Sequence, residues 1–243
     1  MIVTLTANPS LDRTATLDRP LARGEVHRVS SVTVEPGGKG INVARVAHYA
    51  GHPVRAILPA DPDDPILHGL DALRVPYRSV PLAGAVRTNL TLTEADGTTT
   101  KINEPGPSLD AETIERLAHL LVLESERADW VVLSGSLPPG VPEQWYADLV
   151  RALRPWGCRI AVDTSDAPLL ALAARFPDAA PDLLKPNSEE LAQLTGADPE
   201  ALEASAAAGD PTGCVEAART LVERGVGAVM ATLGGAGAVL VTP

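Results

Sequence analysis

The stretch Asp129-Trp-Val-Val-Leu-Ser-Gly-Ser-Leu-Pro-Pro-Gly140 decides the fold class. Its first half is a continuous apolar run, the pattern of a parallel strand that is buried on both faces and covered by helices on each side. Its second half is a Gly/Pro loop at the carboxyl end of that strand, where open α/β sheets bind their ligands. Taken alone, the loop reads equally well as a rigid turn.

Similar strand-like runs occur at Ile2–Thr6, Val54–Pro59, Arg159–Asp163, Leu183–Leu184 and Ala228–Leu233. Helical patterns fall between them, near 40–50, 65–73, 111–124, 142–153, 168–174, 188–194 and 211–223. This alternation predicts βαβ units and a mostly parallel central sheet flanked by helices. Two stretches break the rhythm. Residues 25–35 alternate apolar with polar, and Arg87–Asn103 reads as strand, Glu-Ala-Asp-Gly turn, strand. Both are expected to be half-exposed antiparallel strands, inserted at about 13–35 and 86–104 as a small β-sheet lid on one α/β domain spanning 1–243. Residues 200–209, rich in Ala, are expected to be a helix and a loop.

The 243 residues carry a formal charge of −11 and are 45% apolar, enough for a substantial core. The acidic balance and the absence of a basic run exclude the electrostatic footprint of a nucleic-acid or anionic-membrane binder. Only 3% of residues are aromatic, which argues against stacking on single-stranded nucleic acid. No apolar stretch approaches the ~20 residues of a membrane span, and no leader pattern precedes Ile2, so a cytoplasmic location is expected. Cys158 and Cys214 lack the spacing of a disulfide framework or a zinc site. Among 20 basic residues only Lys39, Lys101 and Lys185 are lysines. Arg serves as well on a solvated surface but not at every phosphate, so each lysine is a candidate ligand group.

Three further segments carry chemistry. Pro36-Gly-Gly-Lys-Gly-Ile-Asn42 precedes an amphipathic helix, so its glycines and Lys39 fall at a helix N-terminus, where backbone N–H groups attract anions. It is not a Walker A loop, because Gly40 rather than a hydroxyl residue follows the lysine. In Lys185-Pro-Asn-Ser-Glu-Glu190, Asn187 and Glu190 fit a helix capping box and fit equally an oxygen-rich outer shell for hydrated Mg²⁺. Thr232-Leu-Gly-Gly-Ala-Gly237 closes the last predicted parallel strand with a loop able to approach phosphates.

In order and content these segments resemble the ribokinase-like carbohydrate kinases, the phosphofructokinase-B family, and within it the 1-phosphofructokinase, 6-phosphofructokinase and tagatose-6-phosphate kinase branch. The resemblance also rests on Thr6-Ala-Asn-Pro-Ser-Leu-Asp12, Arg87-Thr88-Asn89 and Val162-Asp-Thr-Ser165, and it runs the length of the chain. It implies a kinase that transfers the ATP γ-phosphoryl group, with Mg²⁺, to a sugar phosphate, fructose 1-phosphate first among the candidates. By the same resemblance Asp12 binds sugar hydroxyls, where an Asx-turn after Pro9 is the competing reading. Gly37, Gly38 and Asn42 line the sugar pocket, and Asn89 belongs to it from the lid. Lys39 and Arg87 clamp the phosphate that the substrate already carries. Lys101 and Asn103 reach the same pocket, although a solvated strand face suits Lys101 as well, and Ser136 is a further contact. Lys185, Asn187, Thr232, Leu233, Gly234, Gly235, Ala236 and Gly237 hold the nucleotide, and Glu190 orients magnesium-bound water. A homodimer through the lid is also implied.

The family's base is the Asp of a Gly-Ala-Gly-Asp motif, which this chain does not contain; Gly235-Ala-Gly-Ala238 has Ala in the acid's place. The expectation is a C-terminally truncated kinase whose catalytic Asp lies beyond Pro243, without turnover as it stands. The alternative is a short homologue that binds sugar phosphate or nucleotide without catalysis. An unrelated nucleotide-dependent oxidoreductase is disfavoured, since no Gly-x-Gly-x-x-Gly follows the first strand.

Overall fold

The computed structural model describes residues 1–243. β1 (Ile2–Leu5) enters the main sheet, and the chain leaves it through β2 (Ser10–Leu17) and β3 (Val29–Gly37) before returning in α1 (Lys39–Tyr49). A β-α-β unit follows: β4 (Val54–Pro59), α2 (Pro65–Ala72) and β5 (Tyr77–Val80). The hairpin β6 (Arg87–Thr93) and β7 (Thr99–Asn103) then projects outward. Next come α3 (Ala111–Ser125), β8 (Trp130–Ser134), α4 (Trp145–Leu153), β9 (Arg159–Asp163), α5 (Asp166–Ala173) and β10 (Leu183–Leu184). The last third holds α6 (Ser188–Thr195), α7 (Pro199–Ala207), α8 (Thr212–Glu223), β11 (Val229–Thr232) and β12 (Ala238–Val241).

The main sheet has the order β12-β11-β10-β9-β8-β1-β4-β5 and is parallel except for β12. Val3, Leu5, Val131, Leu133, Ile160 and Val162 fill one face of it with almost no exposure, as the apolar runs predict. On the other face Trp130, Val132, Leu183 and Met230 are only half-buried and Leu240 is exposed, so β8–β12 are not covered on both sides as expected. With few aromatics available, Leu, Val and Ala build the core; the fully buried Leu117, Leu121 and Leu153 supply the helix layer. Gly40 lets α1 lie directly on β1, because a Cβ there would stand 2.7 Å from the Leu5 carbonyl oxygen.

The lid is a separate four-stranded sheet, β3-β2-β6-β7. The Glu94–Gly97 turn closes its β6–β7 hairpin as the sequence predicts. Three details differ from expectation. The central β2–β6 pair is parallel rather than antiparallel, since the two strands come from separate excursions that leave the main sheet in the same direction. The first excursion is strand only at 10–17 and 29–37, with 18–28 as a connection. Residues 29–35 are exposed on both faces rather than half-exposed, because β3 is the edge strand and no helix packs on that part of it. In the main sheet, β5 carries no alternation long enough to announce itself and is added by pairing with β4.

Candidate functional site

Five strands end at one crevice. Thr6–Asn8 follow β1, Gly135–Gly140 follow β8, Asp163 ends β9, Lys185 follows β10 and Leu233 follows β11. The lid roots at the same end. β2 departs at Ser10, β3 returns at Gly37, and β6 departs at Arg87 opposite Ser10.

Sheet registry sorts the lid residues by face. Ser10, Asp12 and Thr14 stand beside Arg87, Asn89 and Thr91, and Asn89 and Thr91 stand beside Asn103 and Lys101. Side chains two apart on a strand share a face, so these form one polar face. The Asp12 Oδ1 atom accepts from Ser10 Oγ (2.7 Å) and Asn89 Nδ2 (3.1 Å), a bonding pattern that is not an Asx-turn. Gly37 lies against this carboxylate so closely that a Cβ would overlap it. Asn103 is in the same row as Asp12 and Asn89, and Lys101 is one row further out, exposed and without an ion pair. Asn42 is exposed on the first turn of α1.

Arg87 lines an open cleft with Asn8, Pro105, Ser136 and the 137–141 loop. Its Nη1 donates to the Glu104 carbonyl (3.0 Å). Burial pulls the guanidinium below its ordinary pKa, partly countered by the Asp12 and Glu104 carboxylates; it remains a cation. Asn8 Nδ2 bridges Pro105 O (3.0 Å) and Ser136 Oγ (3.3 Å), tying the lid root to the β8 loop. That loop is pinned from beneath, where the Gly135 carbonyl accepts from both Tyr146 Oη and Thr164 Oγ1 at 3.0 Å. Burial, and then the nearby Asp163 charge, push the Tyr146 phenol well above its ordinary pKa, so it is a neutral donor.

Lys39 and Lys185 converge on one carboxylate. Lys39 Nζ lies 2.8 Å from Asp163 Oδ1, and Lys185 Nζ lies 3.2 Å from Asp163 Oδ2. Gly38, with φ 110°, caps α1 in a conformation that glycine adopts without strain and places Lys39 at the first helical position. Asn187 and Glu190 form the reciprocal capping box of α6: Glu190 N donates to Asn187 Oδ1 (2.8 Å), and Asn187 N donates to Glu190 Oε2 (2.9 Å). Capping uses one oxygen of each residue and leaves Glu190 Oε1 uncommitted. Asn187 also bridges to Thr232, bringing the β10 and β11 loops together. The Thr232–Gly237 segment is the hairpin connection between β11 and β12, with Gly234, Gly235, Ala236 and Gly237 exposed. Leu233 has its side chain in the core and its N–H bonded to Gly237 O (2.8 Å), so neither its side chain nor its amide faces a ligand.

Residues 5–243 match the pfkB family carbohydrate kinase pattern. The chain belongs to the pfkB carbohydrate kinase family. Among curated pfkB relatives, 1-phosphofructokinase from Xanthomonas campestris is 38% identical over 242 residues, covering 98% of this chain and 73% of the relative. 1-Phosphofructokinase from Haloferax volcanii is 36% identical, covering 100% of this chain and 73% of the relative. Among solved pfkB structures, phosphofructokinase-2 from Escherichia coli in complex with fructose 6-phosphate superposes with a TM-score of 0.86 at 31% identity, covering 99% of this chain and 76% of that one. This pfkB chain is thus an α/β ribokinase-like protein of the sugar-kinase, phosphotransferase class.

Sequence reasoning singled out both lysines but assigned no role to Asp163, Asn8, Ser10, Thr164 or Tyr146. Asp163 does carry a signal, a lone carboxylate at the carboxyl end of a buried strand. Tyr146 carries none, since it reads as a core aromatic on α4.

Proposed function

We propose that this chain is built to bind a sugar phosphate beneath its lid and ATP at the adjoining loops, for transfer of the γ-phosphoryl group to a sugar hydroxyl, with fructose 1-phosphate as the preferred substrate. The observation that carries the reading is the placement of Arg87 and Lys39 at the two lid roots, with the Asp12–Asn89 pair between the strands that leave them. Two cations suit a phosphate, and a carboxylate held by neutral donors suits hydroxyls. Asn89 Oδ1 and Arg87 Nε are buried without a protein partner, which is what a polar ligand would satisfy.

ATP and Mg²⁺ fit the donor set at the other end. Lys185 and the exposed Gly234–Gly237 backbone are suited to phosphate oxygens, while Asp163 and the free Glu190 oxygen are suited to a hydrated Mg²⁺. When bound, the ion would neutralise charge on the transferring group. The chain's own residues would orient the sugar hydroxyl toward the γ-phosphoryl group and offset its charge, which is most of the catalytic task in phosphoryl transfer. Residues 1–243 contain no Gly-Ala-Gly-Asp base motif, so binding is the primary test.

Titration calorimetry with fructose 1-phosphate, fructose 6-phosphate and tagatose 6-phosphate tests the reading, followed by ADP release with each. Fructose 1-phosphate is expected to bind tightest, in support of which stand the 1-phosphofructokinase relatives. The second reading, fructose 6-phosphate, is favoured by the likeness to the Escherichia coli complex with that sugar. Binding of none of the three would refute both. A homodimer through the lid is the further part of the proposal. The side of the lid opposite the polar face carries Leu90, Leu92, Val32, Val34 and Ile102, an apolar patch reached by solvent and flanked by Arg13 and Glu104.

A further inference from the structure

Asp64 is buried, with 4% of its surface exposed, and it forms no ion pair. Both of its oxygens accept backbone N–H groups from segments that are not neighbours in sequence. Oδ1 takes Ile66 N at 2.9 Å, capping α2 behind Pro65, and Oδ2 takes Val86 N at 3.0 Å. Val86 is itself buried and immediately precedes Arg87, the first residue of β6. The same helix reaches the other lid root. Gly69 faces Pro36, and a Cβ there would stand 2.5 Å from Pro36 Cγ, one residue before the Gly37-Gly38-Lys39 loop.

We propose that Asp64 is a positioning residue for the substrate-phosphate clamp, tethering the backbone from which Arg87 enters the cleft and making α2 the spacer between the Arg87 and Lys39 roots. The proposal rests on the sugar-phosphate reading of this cleft. The carboxylate is required because it is acceptor-only and can serve two donors at once, with its charge favoured at a helix N-terminus. Asn would turn an NH₂ group toward one of those donors, and Ser caps the helix but is too short to hold the second segment.

The test uses the full chain with Asp64→Ser, Asp64→Asn and Gly69→Ala. Titration calorimetry reads fructose 1-phosphate and ATP separately, and amide exchange reads residues 86–89. Asp64→Ser is expected to weaken fructose 1-phosphate about tenfold, the scale of one buried hydrogen bond, while the ATP affinity stays within about twofold. Exchange at Val86 and Arg87 should rise. Asp64→Asn and Gly69→Ala, in case the serine variant folds poorly, are read by the same ratio of the two affinities. A purely structural role would lower the urea midpoint and leave that ratio unchanged, which overturns the proposal. If the wild-type chain binds no sugar phosphate, the substrate reading fails on its own. The tether is then judged by exchange, and unchanged protection at Val86 in Asp64→Ser overturns it.

Discussion

Lys39 Nζ lies 2.8 Å from Asp163 Oδ1, although the two residues are 124 positions apart. With Lys185 on the other oxygen, one carboxylate bridges two cations and offsets part of their mutual repulsion across the crevice. Any phosphate arriving at either lysine therefore competes with Asp163. Asp163→Asn is expected to tighten fructose 1-phosphate binding about fivefold at low ionic strength, and the gain should shrink at 0.5 M salt. Calorimetry at the two salt concentrations checks it; weaker binding of the variant at both would show that Asp163 orders the lysines rather than competing for them.

Lys39→Arg preserves charge and changes shape. A planar fork cannot reproduce the single-point contact that the compact Lys39 ammonium makes with Asp163 Oδ1 at 2.8 Å. The variant is expected to bind sugar phosphate about tenfold more weakly, with an unaltered urea midpoint. An unchanged dissociation constant would remove Lys39 from the clamp.

Gly37→Ala places a methyl group where the Asp12 carboxylate lies. The carboxylate must turn away and release Ser10 and Asn89. Sugar-phosphate affinity is expected to fall by at least about tenfold while ATP affinity is kept. Equal losses for both ligands would mean that the lid root, rather than the pocket, had been disturbed.

The outer lid face offers a test of assembly. Val32 and Ile102 share that face and are 41% and 55% exposed. Val32→Asp together with Ile102→Asp is expected to convert a dimer to a monomer in sedimentation velocity, since two carboxylates in an apolar interface have no partner there. A wild-type chain that is monomeric at all concentrations would rule out the lid dimer.

The N-cap of α3 sets a pH dependence. The Asp110 carboxylate, accepting from Thr113 N at 2.8 Å, is held below the usual carboxylate range by that hydrogen bond. A depressed folded pKa means that its stabilisation is present above the unfolded value of about 3.9 and is lost as pH falls through the lower folded value. Asp110→Ala should therefore unfold at lower urea than wild type at pH 7, and the two midpoints should draw together as pH falls below about 3.9. A gap that persists at low pH would assign the effect to packing.

The parallel core was legible because its cause is local. β8 and β9 bury Val131, Leu133, Ile160 and Val162 almost completely on one face and carry Val132 and Ala161 on the other, and strands covered this way are written as apolar runs. The capping box of α6 and the glycines around Lys39 were legible for the same reason, since caps and positive φ are properties of neighbouring residues. The lid hairpin announced itself through its turn, but the parallel β2–β6 pairing did not, because no local pattern records which distant strand a strand will meet. β5 is four residues long and owes its place to β4.

For the site, residue chemistry and loop context marked Lys39 and Lys185 as candidates for phosphate recognition, and the family resemblance added Arg87 for phosphate and Asp12 for hydroxyls. Only the tertiary structure decided that Asp163 holds both lysines, that Leu233 belongs to the core, and that buried Asp64 binds the root of Arg87. The reason is physical. Charge, size and cap preference are carried by each side chain wherever it lies, whereas an ion pair across 124 residues exists only once parallel strands bring their carboxyl ends to one edge.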